Sequence, residues 1–582
     1  MSILNKFFIS LLIALVGIIV FISLCYNYFS SELDDISLNS RQSSIIIRDV
    51  DSNLLASYGD LYSGYVPLKD ISENLVNAVI SIEDHRFYEH FGIDIRGILR
   101  ALYVNLSARK IIQGGSTISQ QLTKLLFLNP EKSFIRKIRE LFITLKLEES
   151  LSKDEILSLY LNRAYFGSGN YGVLSSSKNY FTKSPKNLDI HEAAMLAASL
   201  KAPSRLNPIV SIESNRERAN LVVNKMHNYG YITQEERDNS IEKIQSTVVS
   251  KKINIQNRYF TDWVLRRSAS YKNDSIDIEI KTTFDPQIQT FVEKAIPKII
   301  KNVDLEIAVI VMDASGAIKA MLGGKSYYKS QFNRATQAKR QPGSVFKLFT
   351  YMAAFNSGLN PQDSVEDSPL DLNGWKPQNY DKKYQGEITL NQAFASSSNV
   401  AAVRIQEKVG RRAIINWAKR LGVSASLLPE RSLTLGTQEI SLIEMTNAYV
   451  SIVSGGKATF PHAVTEIKDK EGNTLYKRNL VSRDLVMNES ICLSMRYILN
   501  YSILNGTARK GKPRNVNNNN FLLGGKTGTT QDSKDAWFIG YLNDMVVGVW
   551  VGRDDNRDTP GLYGGNQPAL IFREIMEEVL NL

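Results

Sequence analysis

Ser344 and Lys347 give this 582-residue chain a pair of side chains suited to nucleophilic catalysis. They stand three residues apart, so in a helix the lysine nitrogen lies beside the serine hydroxyl. A serine becomes a good nucleophile only when a neighbour takes its proton, and this lysine is suitably placed. Pro342 and Gly343 suit the residues just before a helix start, which puts Ser344 at the positive helix end. The spacing recurs often by chance, so the pair needs support from other residues.

Two later segments supply that support. Ser397-Ser398-Asn399 adds a second hydroxyl and an amide, and Lys526-Thr527-Gly528-Thr529 adds a second lysine. The stretch from Phe521 to Thr529 reads as a strand whose small residues let a substrate backbone approach. The link between the three segments comes from the resemblance given below, which implies one active site built from a serine, two lysines and an asparagine.

A different set of charged residues lies in the first half of the chain. Glu83 and Asp84 are adjacent carboxylates, and Arg136 and Glu140 lie four residues apart on one face of a predicted helix. Sugar transfer from a phosphate-linked donor needs a base for the acceptor hydroxyl and cations for the leaving phosphate, and both residue types are present. An ordinary salt-bridged amphipathic helix is the alternative for the Arg136–Glu140 segment taken alone.

His85 and His90 raise the further alternative of a metal site, because acids flank them. In a helix, side chains five residues apart point about 140° away from each other, which is poor spacing for two ligands. The sequence therefore predicts no metal at these histidines.

The chain is too long for one hydrophobic core, so at least two domains are expected. Residues 135–161 repeat apolar side chains at helical steps, with Ser152 as an N-cap, and Ile276–Thr282 alternates like a strand. The predicted fold is multidomain: an N-terminal transmembrane helix, a mostly α domain and an α+β domain. The predicted bounds are 1–30 for the cytoplasmic tip and anchor, 31–65 for a stalk and first strand, 66–230 for the all-α domain, 231–275 for a polar linker and 276–582 for the α+β domain.

Phe7–Cys25 is a run of 19 uncharged residues, long enough to span about 30 Å of hydrocarbon. Lys6 precedes it and acidic residues follow, so the positive-inside rule predicts a cytoplasmic N-terminus. A cleaved signal peptide is the competing interpretation, but no small-residue cleavage site follows the run.

The net charge of +11 favours anionic partners such as lipid headgroups or pyrophosphate, although a general lysine-rich composition explains it equally well. Nucleic acid is not expected, because lysines and arginines are spread and no nucleic-acid-binding motif is present. The two cysteines, Cys25 and Cys492, say nothing useful about the redox compartment.

Four segments of the first half resemble the motifs of peptidoglycan glycosyltransferases. Glu83 to Gly92 is similar to E-D-x-x-F-x-x-H-x-G, and Gly114 to Gln121 to G-G-S-T-I-[ST]-Q-Q. Arg136 to Glu140 is similar to R-K-x-x-E, and Lys153 to Asn162 to K-x-x-I-L-x-x-Y-L-N. The four motifs follow the family's order within 80 residues.

This resemblance implies roles for the matching residues. Glu83 and Glu140 are the expected catalytic carboxylates, with Glu83 as general base for the acceptor's 4-hydroxyl. The residues expected around the donor pyrophosphate are Glu140, Lys124, Arg136 and Lys137. Those expected to shape the site are Asp84, Phe87, His90, Thr117 and Gln121. The chain departs from the family pattern at Thr144, Ser158 and Thr182, where Ala, Glu and Gly are common, and these departures concern packing.

The second half resembles the transpeptidase domain of class A penicillin-binding proteins, whose three motifs appear in order at Ser344, Ser397 and Lys526. By this resemblance Ser344 attacks the D-Ala-D-Ala carbonyl of a peptidoglycan stem peptide and Lys347 accepts its proton. Ser397 and Asn399 are expected to relay protons and position the peptide. The residues expected to bind the terminal carboxylate are Lys526, Thr527, Gly528 and Thr529. The backbone N–H groups of Ser344 and Thr529 are expected to form an oxyanion hole.

The resemblance covers residues 45–575 and implies a bifunctional peptidoglycan synthase. The first domain is then lysozyme-like and polymerises lipid II with inversion, releasing undecaprenyl pyrophosphate. The second domain, penicillin-binding and β-lactamase-like, crosslinks nascent glycan strands by D,D-transpeptidation, with β-lactams as covalent inhibitors of Ser344. The alternatives are a β-lactam-binding scaffold or sensor with reduced catalysis, or D,D-carboxypeptidase or β-lactamase activity in the second domain.

The same resemblance implies a single-pass protein of the bacterial inner, cytoplasmic membrane, with both catalytic domains on the periplasmic side. No cofactor is expected to be required, and a divalent cation, Mg²⁺ or Mn²⁺, stays open for the glycosyltransferase site. Accessory cell-wall proteins are expected as further partners.

Overall fold

The computed structural model describes residues 26, 44–58, 65–108, 114–127, 134–168, 170–249, 257–271, 277–302, 304–327, 329–479, 484–516 and 521–582. They form two compact units, the first from the described residues of Tyr58–Ile255 and the second from those of Ile45–Ser57, Gln256–Lys272 and Ile278–Leu582. The predicted anchor Phe7–Cys25 lies outside the described residues. Among the residues that are described, no helix has the length and apolar character needed to cross a membrane.

The first unit is helical, as predicted. Its helices are α1 Glu73–Glu83, α2 Ile95–Ala108, α3 Ile118–Phe127, α4 Phe134–Ser150, α5 Lys153–Arg163, α6 Val173–Phe181, α7 Ile190–Ser199, α8 Pro203–Leu206, α9 Ile212–Asn228 and α10 Gln234–Ser246. A short hairpin joins Tyr165–Gly167 to Asn170–Tyr171. Helix α7 forms the centre: Ala193–Ala198 is fully buried, and α7 packs against α1 and α9. Small alanine side chains let these helices approach closely, and a helix that is apolar all round belongs in a core.

The helical period predicted over residues 135–161 is confirmed, with a break between α4 and α5. Ser152 is the N-cap of α5, and Glu155 returns a hydrogen bond to it, so the chain restarts a helix there. Thr182 ends α6 with φ +60°, in the left-handed region that glycine adopts without strain. This explains why glycine is common at that position, and the threonine costs about 1–2 kcal/mol of backbone strain.

The second unit is α+β. Its strands are β1 Ile45–Arg48, β2 Leu54–Tyr58, β3 Ile278–Thr282, β4 Glu306–Asp313, β5 Ile318–Leu322, β6 Ser364–Asp367, β7 Gly386–Thr389, β8 Val464–Asp469, β9 Thr474–Lys477, β10 Leu523–Thr529, β11 Asp535–Leu542 and β12 Met545–Gly552. Its helices are α11 Arg258–Arg267, α12 Pro286–Ile299, α13 Lys347–Asn356, α14 Leu390–Ser396, α15 Asn399–Val409, α16 Arg411–Arg420, α17 Leu442–Val453, α18 Glu489–Asn505 and α19 Gln567–Val579.

The larger sheet has the order β10-β11-β12-β4-β5, with antiparallel neighbours throughout. Every residue of β11 and β12 is buried, because helices cover both faces. Helices α12 and α19 pack together against the sheet, and α17 and α18 pack on its strands as well. The active-site strand β10 is thus the edge of a rigid, fully covered sheet.

The other five-stranded sheet, built from shorter strands, has the order β9-β8-β3-β1-β2. Strand β1 pairs in parallel with β3, with Ile45 opposite Ile278 and Ile47 opposite Ile280. The predicted strand near residue 45 is confirmed, and it belongs to the second unit although 229 residues separate it from β3.

The structure differs from the predicted linker over residues 231–275, which contains helices α10 and α11. Helix α10 buries only Ser240 and Ile244, so its sequence has the polar composition of a solvated helix and no strong apolar period. Helix α11 packs on β5 through buried Tyr259, Phe260 and Val264. A polar stretch of this kind predicts a linker, but the structure has one helix of each unit there.

Candidate active sites

Glu83, the last residue of α1, is held by side chains from two other helices. Gln121 on α3 donates a hydrogen bond from Nε2 to Glu83 Oε2 at 2.9 Å. The Tyr160 hydroxyl on α5 donates to Gln121 Oε1 at 3.0 Å. Burial, and then the Glu83 charge, raise the pKa of Tyr160 well above its usual value, so this hydroxyl stays a donor. The carboxylate is half-buried and oriented, as a general base must be.

The neighbouring motif residues join the first two motifs to each other. Asp84 accepts a hydrogen bond from the Ile118 N–H at the start of α3 and lies 3.0 Å from His90 Nε2. Thr117 Oγ1 donates to the Gly92 carbonyl at 2.6 Å. These side chains position α3 against the end of α1, and therefore position Gln121 against Glu83.

Glu140 lies among cations on α4. Its carboxylate is buried, pairs with Lys137, and lies 3.5 Å from Arg136 Nη1. Lys124 is exposed on α3, one turn beyond Gln121. The structure thus joins Glu140 to Arg136 and Lys137 and puts Lys124 on the helix that also orients Glu83.

Phe87 and the two departures nearby have packing roles. Phe87 is fully buried, and the Lys153 ammonium lies 4.5 Å above the centre of its ring. Thr144 is buried, donates to the Glu140 carbonyl at 2.6 Å, and its methyl group lies beneath Gly92, where a side chain would collide with it. Ser158 Oγ bonds the Tyr65 hydroxyl at 2.9 Å. At these two positions the departures make local hydrogen bonds from buried side chains.

Two basic residues on α9 were missed from the sequence. Arg218 and Lys225 stand seven residues apart, which is two turns on one helix face. Burial lowers the pKa of Arg218, and the charge of Glu83 opposes that change. Burial also lowers the pKa of Lys225, and the positive charges of Arg218 and Arg100 lower it further. The negative charge of Glu83 acts in the opposite direction. The half-buried basic pair, at helical spacing in a polar helix, is the signal that could have identified them.

A divalent cation fits this site poorly. The acidic groups already have donors: Gln121 for Glu83, Lys137 and Arg136 for Glu140, and backbone and histidine for Asp84. Within the described ranges, the grouping with metal-ligand geometry is Asp189, His191 and Glu192, where the ammonium of Lys183 lies 2.7 and 2.8 Å from the two carboxylates. Lys183 therefore already bridges the two carboxylates of that group.

Ser344 lies in the second unit on a single helical turn, Gly343–Phe346, which leads directly into α13. Gly343 has φ +54°, and a side chain there would come within 2.8 Å of the Thr529 carbonyl oxygen. A side chain at Gly528 would likewise collide with the Pro342 carbonyl. Glycines on both segments therefore let the serine turn approach the end of β10, and the predicted helix start after Pro342 and Gly343 is confirmed.

Lys347 is fully buried at the start of α13. Its Nζ donates to the carbonyls of Ser397 at 2.8 Å and Ser398 at 3.1 Å, and to Asn399 Oδ1 at 2.8 Å. Ser397 Oγ lies 3.5 Å away. Burial and then the positive charge of Lys526 bring the pKa of Lys347 well below its usual value, opposed by Asp367. A lysine with a lowered pKa can act as a base near neutral pH.

Lys526 approaches the same hydroxyl from β10. Its Nζ donates to Ser397 Oγ at 2.8 Å, and burial lowers the pKa of Lys526 to about 7. Ser397 sits between α14 and α15 with φ +60°, a left-handed turn that places its hydroxyl between both lysines. Thr527 Oγ1 lies 2.7 Å from Thr507 Oγ1, and Thr529 Oγ1 accepts from the Gly564 N–H at 3.1 Å. The three predicted segments therefore meet in one place.

Comparison with known proteins gives matches to both units. Residues 51–227 match the family model described as Transglycosylase, and residues 307–577 match the model described as Penicillin binding protein transpeptidase domain. The chain is 32% identical to Penicillin-binding protein 1A of Aquifex aeolicus, covering 92% of this chain and 86% of that one. It is 34% identical to Penicillin-binding protein 2D of Bacillus subtilis, covering 89% of this chain and 77% of that one.

Two solved structures resemble the fold. The crystal structure of Penicillin-Binding Protein 1A from Haemophilus influenzae aligns with a TM-score of 0.56 at 22% identity, over 93% of this chain and 92% of that one. PonA1 from Mycobacterium tuberculosis in complex with penicillin V aligns with a TM-score of 0.50 at 25% identity, over 56% of this chain and 92% of that one.

Proposed function

This chain belongs to the class A penicillin-binding proteins, and we propose which of its residues carry out the two reactions of that family. The protein is a bifunctional peptidoglycan glycosyltransferase and transpeptidase. The residue roles, the lipid-linked substrate and the place in the cell are the parts that we add.

In the helical unit, Glu83 takes the proton from the 4-hydroxyl of the acceptor sugar while that oxygen attacks C1 of the donor. The hydrogen bond from Gln121 supports this role, because it fixes the carboxylate without neutralising it. The donor pyrophosphate leaves with inversion, and Lys124, Arg136 and Lys137 offset its charge. Glu140 keeps the two cations of α4 in place.

Arg218 and Lys225 receive a second anion on the Glu83 side. The donor and the acceptor are each lipid-linked through pyrophosphate, so a polymerase must hold two such groups. The α9 pair supplies cations apart from those of α4, and its proximity to Glu83 supports a place on the acceptor side. No step of this scheme requires a divalent cation.

In the second unit, Ser344 Oγ attacks the penultimate D-alanine carbonyl and Lys347 takes its proton. The oxyanion binds the N–H groups of Ser344 and Thr529, which the glycine contacts bring close together. Lys526, Thr527 and Thr529 bind the terminal carboxylate of the peptide. Gly528, which has no side chain, leaves room for the peptide backbone beside them. Ser397 passes the proton to the leaving D-alanine, and Asn399 orients the peptide. An amine of a stem peptide on another strand then attacks the acyl-enzyme and releases Ser344. With a β-lactam the reaction stops at the acyl-enzyme.

The helical unit offers a surface suited to a lipid bilayer. On α2, Ile95, Leu99, Leu102, Tyr103 and Leu106 are each more than half exposed and share one face. An apolar face of this kind favours the interface of a membrane, where a lipid-linked donor must be met. We place the protein in the bacterial inner membrane, with residues 7–25 as its single span. Both units then lie outside the cytoplasm, and the helical unit is lysozyme-like.

The observation that carries the proposal is the pair of separate catalytic groups, Glu83 with Gln121 and Ser344 with Lys347, each in its own unit. We test it with detergent-solubilised full-length protein given lipid II, measuring glycan strands on gels and fluorescent penicillin labelling. Glu83→Gln is expected to lower polymerisation by roughly 10²–10⁴-fold and to leave labelling intact. Ser344→Ala is expected to abolish labelling and leave polymerisation intact.

The outcomes separate the alternatives. Polymerisation retained in Glu83→Gln would remove Glu83 as the base, and labelling retained in Ser344→Ala would remove that serine. Release of D-alanine without crosslinked product in the unaltered protein would mean that water is the acceptor and that the second unit is a D,D-carboxypeptidase.

A further inference from the structure

Asp367, the last residue of β6, is a fully buried carboxylate next to the transpeptidase site. Its Oδ1 accepts hydrogen bonds from Ser398 Oγ and from Asn379 Nδ2, both at 2.8 Å. Its Oδ2 accepts from the Gln385 N–H at 3.1 Å. All three donors are neutral groups. A buried charge held in this way is costly unless a charge of opposite sign nearby compensates it.

Asp367 holds the turn that carries the second catalytic motif. Ser398, which bonds to Asp367, lies between Ser397 and Asn399. Asn379, the other partner, accepts the Asn399 N–H on its Oδ1 at 2.8 Å. Asp367 therefore fixes the backbone of this turn through two separate links.

The same turn supplies the three acceptors around Lys347. An ammonium has three N–H donors, and the carbonyls of Ser397 and Ser398 and the side chain of Asn399 accept all three. The arrangement therefore matches the protonated form of Lys347. When Lys347 is the neutral base it has two N–H donors, and its lone pair is free for the Ser344 proton.

The charges that act on Lys347 come from two strands. Lys526 on β10 is positive, and together with burial it favours the neutral amine, whereas Asp367 on β6 is negative and favours the ammonium. Tyr351, one turn along α13, is the other buried titratable group here. Burial and then the Asp367 charge raise the pKa of Tyr351, so it stays neutral. Asp367 thus supplies a buried negative charge that acts on Lys347.

We propose that Asp367 is a positioning residue for acylation: it holds the turn 397–399, and its buried charge stabilises the ammonium that Lys347 becomes on taking the Ser344 proton. The inference rests on the proposed roles of Ser344 and Lys347. As the bond from Ser344 Oγ to the carbonyl carbon forms, the proton moves to Lys347 Nζ. It then passes to the D-alanine nitrogen as the C–N bond breaks, or to the ring nitrogen when the substrate is penicillin.

Asp367→Asn separates the charge from the positioning. The variant keeps an Oδ1 acceptor for Ser398 and Asn379 and loses the charge and the bond from Gln385. We would measure the rate of acylation by fluorescent penicillin from about pH 5 to pH 9 on the full-length protein in detergent. Removing the negative charge lowers the pKa of Lys347, so the acid-side midpoint is expected to move to lower pH by about one unit. The plateau rate is expected to fall about tenfold, because the lysine is a weaker base.

Glu366→Gln is the matched control. Glu366 precedes Asp367 on the same strand, is exposed, and lies 3.4 Å from Arg404, so its loss is expected to leave the midpoint unchanged. Ser398→Ala removes one link to the turn and keeps the charge, so acylation is expected to slow at an unchanged midpoint. Ser344→Ala is expected to give no labelling, and labelling in that variant would refute the proposed nucleophile rather than the role of Asp367.

An unchanged midpoint in Asp367→Asn would overturn the proposal, as would an equal shift in Glu366→Gln. Asp367→Ser provides a second neutral replacement. If neither neutral variant folds while Ser398→Ala does, Asp367 serves stability alone and the proposal is also overturned.

Discussion

The charged side chains of the helical unit and those of the second unit are placed in contrasting environments. Around Glu83, the cations of α9 are half-buried and Lys124 is exposed. Around Ser344, Lys347 and Lys526 are both 0% exposed and bond mainly to backbone and hydroxyl oxygens. The first arrangement suits the binding of large anions such as pyrophosphate. The second suits proton transfer, because burial tunes the basicity of the lysines.

The contrast also separates what each unit requires of its substrate. Cations at a partly wet site bind pyrophosphate by charge, with little cost of desolvation before the ligand arrives. A dry lysine pair has already lost its hydration, so its protonation depends on every nearby charge. We therefore expect the helical site to respond to the loss of a cation and the second site to respond to pH.

Arg218→Gln offers the largest test of the first half of this contrast. Loss of a charged hydrogen-bond donor is expected to raise KM for lipid II in polymerisation by about 10–100-fold. Fluorescent penicillin labelling is expected to stay unchanged. Arg237→Gln on α10, a half-buried arginine paired with the exposed Asp238 at 2.7 Å, is the matched control and is expected to polymerise normally. Equal KM values for Arg218→Gln and the unaltered protein would show that α9 binds no substrate anion.

The expected response of the second site to pH is tested by measuring KM for acylation at several pH values. Because burial lowers the pKa of Lys526 to about 7, its ammonium is present below that pH and lost above it. KM for acylation by a stem peptide is expected to rise about fivefold between pH 7 and 8 as carboxylate binding weakens. KM for lipid II is expected to change less, because Arg136 and Arg218 stay charged over this range.

Lys526→Arg is the control for that series, because a guanidinium keeps its charge over this range. The variant is expected to acylate slowly, with a KM that does not change with pH. A flat KM in the unaltered protein would contradict the proposed binding of carboxylate by Lys526.

Helix caps give the smallest test, since each unit has a capping box. On α17, burial acts to raise the pKa of Glu444, but hydrogen bonds from Ser424 and Ser441 outweigh it and lower the pKa to about 2. A lowered carboxylate pKa stabilises the fold above the unfolded value near 4.5 and loses that effect as pH falls towards 2. Glu444→Gln is therefore expected to cost about 1–2 kcal/mol at neutral pH and less at pH 3.

The exposed box on α5 is the matched comparison. Glu155→Gln is expected to cost about 0.5 kcal/mol or less, because solvent screens its contacts. Thermal unfolding of the full chain would measure the loss of stability in both variants. A bound β-lactam raises the transition temperature of the second unit, which identifies that transition. Equal costs at the two caps would contradict the claim that burial strengthens the second.

Much of both sites follows from short-range rules. The serine turn was predictable because Pro342, Gly343 and Ser344 start a helix locally, and Ser152 marks the start of α5 in the same way. Motif resemblance then brought together residues that are distant in sequence, such as Ser397 and Lys526. Neither inference needs knowledge of the packing.

The residues that were missed depend on long-range packing. Arg218 looks like any arginine on a polar helix until α9 lies beside Glu83. Asp367 looks like a polar strand end until the fold buries it completely beneath the turn 397–399. Helix α10 is hard to recognise for the opposite reason, because a solvated helix with few buried positions has too weak a period to distinguish it from a loop. Helix α11 instead depends on its packing against β5.

The pairing of β1 with β3 makes the helical unit an insertion. The chain leaves the second unit after β2 and returns to it at α11, ahead of β3, and β1 and β3 lie side by side in one sheet. A fragment beginning at residue 276 would lack β1 and leave an open edge on β3, which invites aggregation. Excision of the helical unit should instead keep residues 45–57 and rejoin them before α11, and only such an excised protein is expected to remain soluble and bind penicillin.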